Sequence, residues 1–154
     1  MLCAVVTSVH AESGCTNLDA QPPTFAVSYQ AIQFIFQDNG CTDCHEGHIA
    51  CDPDGPTAFP SAGMDLCPGV SWFNIVRVSS SQDNSLTRVV PNQPLASLLF
   101  SKVHCDEPFI GSRMPLGFPQ LSDYDQSLIY DWIAGGAPLG TTDTIFRGEF
   151  EPRG

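Results

Sequence analysis

Basic residues are scarce in this chain: 6 Lys plus Arg stand against 17 Asp plus Glu, for a formal net charge of -11. A surface of that sign repels phosphate backbones, so nucleic acid and anionic membrane surfaces are excluded as partners. Long apolar runs are missing too. No stretch approaches the ~20 residues that a membrane-spanning helix needs. There are no internal repeats, which excludes a solenoid. One further absence concerns metal chemistry. The chain holds a single C-x-x-C, from Cys41 to Cys44, and no second C-x-x-C or H-x-x-x-H pair to complete a structural zinc site.

What is present suits one folded domain. Of the 154 residues, 42% are hydrophobic and only 15% charged, which permits a packed core. Gly and Pro, 13 each, predict long loops. Seven cysteines in so short a chain mean metal binding in a reducing compartment or disulfides in an oxidising one. The opening "MLCAVVTSVHA" is short, apolar and ends on small residues. It predicts a signal-peptide remnant over residues 1–11, cleaved after Ala11, although the usual positive start is missing. The domain is then expected over 12–140, followed by a tail over 141–154.

Two strong helices are predicted. In "FAVSYQAIQFIFQDNG", Ser28 caps, Ala31, Ile32, Ile35 and Phe36 form a stripe, and Asn39 with Gly40 ends the helix. In "LSDYDQSLIYDWIAGG", Ser122 caps, Asp123 and Asp125 occupy the first turn, and Gly135-Gly136 ends it. Its apolar face is expected to be Tyr124, Leu128, Ile129, Trp132 and Ile133. "GVSWFNIVRVSS" leans to helix, and "PLASLLFSKV" predicts a short helix opening at Pro94 or Leu95. Residues 46–68 are expected to be a Pro/Gly-rich loop. Its "DPDG" is a fragment of a calcium loop without the remaining ligands, so a plain turn is expected.

"NGCTDCHEGH" carries the chemistry. In C-x-x-C-H, two thiols three apart can each add across one vinyl group of a haem, and the histidine then lies under the iron. The porphyrin itself dictates that spacing. Four ligands drawn from Cys41, Cys44, His45 and His48 would be cramped within eight residues. A redox dithiol wants a strand before the motif, where this chain predicts a helix.

Haem iron takes a second axial ligand from a distant segment. His48 sits on the same side as His45, and Met1 and His10 fall in the start of the chain. Met64 reads as core packing. His104 and Met114 remain. Met114 stands in "GSRMPLG": Pro115 favours an extended backbone there, and Gly111 and Gly117 let the loop run close to a macrocycle. A thioether at that position would raise the potential relative to a second imidazole.

With these residues in view, the chain resembles mono-haem c-type cytochrome domains. "FQDNGCTDCHEG", "GMDL", "VVPNQPLASLLFSKV" and "GSRMPLGFPQLSDYDQSLIYDWIAGGAP" are similar to that family's successive blocks, in the planctomycete type with a long insert and an R-M-P distal loop. The similarity runs over about residues 27–138. It implies an all-α, cytochrome c-like fold around one haem c, with the first and last helices crossing beside it. It implies attachment at Cys41 and Cys44, with His45 and Met114 as axial ligands.

Four cysteines are then left once Cys3 goes with the signal segment. Cys51–Cys67 is the preferred pair, closing the insert, with Cys15–Cys105 as the second. Closing the smaller loop contributes about 3 kcal/mol. Arg113 or Arg88 is expected to meet the haem propionates, and Trp72 and Trp132 to pack. The resulting expectation is a periplasmic or extracellular electron carrier, meeting redox partner proteins and catalysing no bond chemistry. Two alternatives stand beside it: a subunit of an electron-transfer complex, filament or homo-oligomer, and a haem enzyme or sensor with a labile sixth ligand.

Overall fold

A computed structural model describes residues 14–140. The expected signal segment 1–11 and the tail 141–154 lie outside the described residues, and Met1, Cys3 and His10 with them. Among the described residues five helices form: α1 (Tyr29–Asp38), α2 (Cys41–Cys44), α3 (Ser71–Ile75), α4 (Leu98–His104) and α5 (Asp123–Ala134). Single 3-10 turns stand at Ile49–Cys51, Ser61–Gly63 and Pro94–Ala96. Extended backbone makes isolated bridges, such as Val76 with Val89 and Ser79 with Thr87, and no sheet among the described residues. The protein is helical, as the two periodic stretches predict.

The two main helices follow from their caps and stripes. The Ser28 hydroxyl accepts the Ala31 N–H at 3.3 Å, and the Ser122 hydroxyl accepts the Asp125 N–H at 3.0 Å. Ile32, Ile35 and Phe36 of α1 and Leu128, Ile129, Trp132 and Ile133 of α5 are buried in one core. Each such side chain contributes about 1.5–3 kcal/mol of burial. The Tyr29 and Trp132 rings meet at 5.5 Å, so α1 packs on α5. Tyr124 departs from the expected face and is exposed. Gln126 is buried in its place, because its amide donates to the Leu121 carbonyl at 2.8 Å. Both indoles pin the chain after α5. Trp132 Nε1–H donates to the Pro138 carbonyl and Trp72 Nε1–H to that of Ala137.

Two shorter stretches differ from expectation. Only Ser71–Ile75 of the "GVSWFNIVRVSS" segment is helical; beyond it Val76 bridges Val89 and Ser79 bridges Thr87, with Arg77 in a left-handed turn between them. The helix expected from Pro94 is broken at Ser97. Its buried hydroxyl accepts the Val90 N–H at 2.9 Å and donates to the Gln93 carbonyl, which competes with helix continuation. α4 begins after that break. In "DPDG", Asp52 closes a plain turn, its carboxylate accepting the Asp54 N–H at 3.0 Å.

Cys51 is bonded to Cys67 and Cys15 to Cys105. This is the preferred pairing of the three possible. The first closes the insert across 16 residues; the second ties the start of the described chain to the end of α4 across 90.

Candidate functional site

A cleft of about 300 Å³ opens between α2, α4 and the 111–118 loop. That volume lies at the lower end of the ~300–1,000 Å³ usual for ligand pockets. Phe36, Leu98, Leu99 and Val103 give it apolar walls. Cys41, Cys44, His45 and Met114 all line it.

The cysteine pair is placed by Gly40. After α1 ends, Gly40 takes a left-handed φ of 66°, and α2 starts at once as a single turn. Cys41 and Cys44 are the free cysteines among the described residues, while the other four are in disulfides. Burial pushes the Cys41 thiol up to about 11, opposed by its own backbone hydrogen bond and reinforced by Asp43 and Cys44. It is a neutral thiol at pH 7. A redox dithiol needs the opposite shift, and the element before it here is a helix.

His45 is buried, and its Nδ1 lies 2.9 Å from the Ser61 carbonyl oxygen. A carbonyl can only accept, so Nδ1 carries the proton and Nε2 keeps its lone pair. Burial lowers the His45 pKa below its ordinary value, against hydrogen bonds with the Ser61 and Met64 backbone and with help from Arg88 and Lys102. The imidazole is therefore held neutral with one nitrogen available as a metal ligand. Its backbone is fixed as well. The His45 carbonyl accepts the Leu66 N–H at 2.7 Å, and the Leu66 carbonyl accepts from the Gln33 amide at 3.0 Å. Gln33 in turn accepts from Ser71, and Ser71 from Tyr29, so a buried chain of hydrogen bonds runs from α1 and α3 to the histidine.

Met114 arrives on the loop after α4. Its N–H donates to the Lys102 carbonyl at 2.8 Å, and the Met114–Pro115 peptide is cis. Met64, expected as core packing, packs against the core and also reaches the cleft. His48 donates from Nδ1 to the Gly55 carbonyl at 3.2 Å and does not line the cleft. His104 stacks on Phe100, with ring centroids 4.4 Å apart, and lines a separate cavity of about 260 Å³.

Two cations line the cleft, Arg88 at 7% exposure and Lys102 at 8%. The Arg88 guanidinium donates to the carbonyls of Asn74 (2.7 Å), Ala62 (3.0 Å) and Gly63 (3.3 Å). Lys102 Nζ donates to the Ser112 carbonyl at 3.2 Å. Neither meets a carboxylate among the described residues, where the one ion pair is Arg113 with Asp106 at 3.5 Å. A buried cation without a counter-charge is costly, and an anionic ligand would relieve it. Arg113, expected beside the propionates, is not on the cleft; Asp106 draws it away, leaving its Nη1 buried without a partner. Lys102 was not singled out from the sequence. Its signal was its place at helical spacing among Leu98, Leu99 and Val103, a charge set in an apolar stripe.

The chain matches no protein-family model, no curated protein and no solved structure.

Proposed function

We propose that the protein is a one-electron carrier, a c-type cytochrome with a single haem c in this cleft. One observation carries the reading: two unpaired thiols, a neutral imidazole with a free Nε2 and a thioether line one apolar cavity. Each donor type fits one attachment point of haem c. Cys41 and Cys44 would hold the porphyrin by thioether bonds, and His45 Nε2 and Met114 Sδ would be its iron ligands. Arg88, buried without a carboxylate partner among the described residues, fits a carboxylate of the group. Bound there, the group supplies an iron that accepts and releases one electron.

The chain's own residues do the rest. Ser61 fixes the histidine tautomer, and the Gln33–Ser71–Tyr29 chain fixes its backbone. Phe36, Leu99 and Val103 exclude water from the inner wall. Leu116 and Phe118 line the cleft and stay exposed, so an apolar strip borders it where a redox partner protein would make a brief contact. Two disulfides fit an oxidising compartment, the periplasm or the extracellular space. No helix among the described residues is long and apolar enough to cross a membrane.

A haem-stained denaturing gel tests the reading, with spectra of Met114→Ala beside it. Colour that survives denaturation, and a far-red thioether–ferric band that disappears in the variant, are expected. A colourless band on the gel rejects it.

A further inference from the structure

Lys102 makes two hydrogen bonds to the 111–114 loop. Its main-chain carbonyl accepts the Met114 N–H at 2.8 Å. Its Nζ donates to the Ser112 carbonyl at 3.2 Å. Gly111, at a φ of 66°, comes so close that an added Cβ would stand 2.9 Å from Nζ. The side chain also lines the cleft and is buried without a carboxylate partner among the described residues. A lysine buried at such cost calls for more than packing, since methionine or leucine would fill the same space. Its carbonyl fixes the height of Met114, and its ammonium fixes the strand of loop two residues earlier. Arg113, next to Met114 in sequence, pairs instead with Asp106 at 3.5 Å.

We propose that Lys102 is the positioning residue for Met114: a clamp from α4 that holds the distal loop and so keeps the thioether in the sixth position. This inference rests on the haem reading above. Without the clamp, the loop keeps the carbonyl contact but loses its second anchor, and Met114 has freedom to leave the cleft. The sixth position would then open to small ligands.

Lys102→Met and Lys102→Arg, made in the full chain, test this. Each is stained for covalent haem, scanned for the far-red thioether–ferric band and titrated in the ferrous state with CO alone. The expected result is covalent haem in both variants. Lys102→Met should lose the band and bind CO at least ~10-fold more tightly, while Lys102→Arg, which keeps donors for Ser112, should retain the band. Covalent haem with an unchanged band and unchanged CO binding in Lys102→Met overturns the clamp and leaves the haem reading standing. Wild-type protein without covalent haem overturns both. Should Lys102→Met fail to fold, Lys102→Gln, whose shorter amide cannot reach Ser112 from the same place, is read in the same way. It is expected to weaken the band, and an unchanged band there overturns the clamp.

Discussion

Arg88 and Ser61 act on opposite ends of one short turn. The guanidinium holds the carbonyls of Ala62 and Gly63, and the carbonyl of Ser61 receives the His45 Nδ1–H at 2.9 Å. The orientation of the histidine is thus set by an arginine 43 positions away in sequence. The 3-10 turn transmits that placement, and the Cys51–Cys67 disulfide closes the loop that contains the turn.

Replacing Arg88 should therefore act on both stability and the histidine. Arg88→Met leaves the Asn74 and Gly63 carbonyls without their side-chain donor, while Ala62 keeps the Ser81 hydroxyl, and should cost about 2–4 kcal/mol in denaturant unfolding. Arg88→Lys cannot reproduce the fork and should recover less than half of that loss. A loss under ~0.5 kcal/mol for Arg88→Met would show that the turn holds itself.

The insert disulfide should be worth about 3 kcal/mol, as expected for closing a loop of 16 residues. Cys51→Ser with Cys67→Ser should lower the unfolding free energy by roughly that amount. The same change should loosen the Ser61–Gly63 turn, seen as faster hydrogen exchange at the Met64 amide, which donates to the Ser61 carbonyl at 3.2 Å. Unchanged exchange would mean that Arg88 and the Ser81 hydroxyl hold the turn without the disulfide.

His104 gives a dependence on pH. Burial holds its pKa below the ordinary 6.5, against the hydrogen bond with Gln126. The unfolded chain takes up a proton first, so the stabilisation is complete above pH about 6.5 and is lost as pH falls through the folded value. Thermal melts from pH 7.5 to 4.5 should show His104→Gln losing less stability than wild type over the acid half of that range. Parallel curves would contradict it.

Much of this was legible in the sequence, for local reasons. Ser28 and Ser122 cap by adjacent contacts, and the stripes of α1 and α5 need only periodicity. The C-x-x-C-H spacing encodes its chemistry within five residues. What escaped depends on contacts across the chain. Arg113 neighbours Met114 in sequence, yet it pairs with Asp106 and does not line the cleft. Lys102 lay in an apolar stripe, and nothing local shows that its two ends reach Ser112 and Met114. Tyr124 yielded its place on the apolar face to Gln126, whose partners are Leu121 and His104. The break at Ser97 depends on Val90, seven residues earlier.

The most direct test of the account is the intact mass of the protein produced in a periplasm with haem-attachment machinery, beside Cys41→Ser with Cys44→Ser. The account predicts wild-type protein heavier by one haem after denaturation, no thiol at Cys41 or Cys44 open to alkylation, and a double variant without the added mass. A wild-type mass equal to the bare chain, with both thiols alkylated, would contradict it.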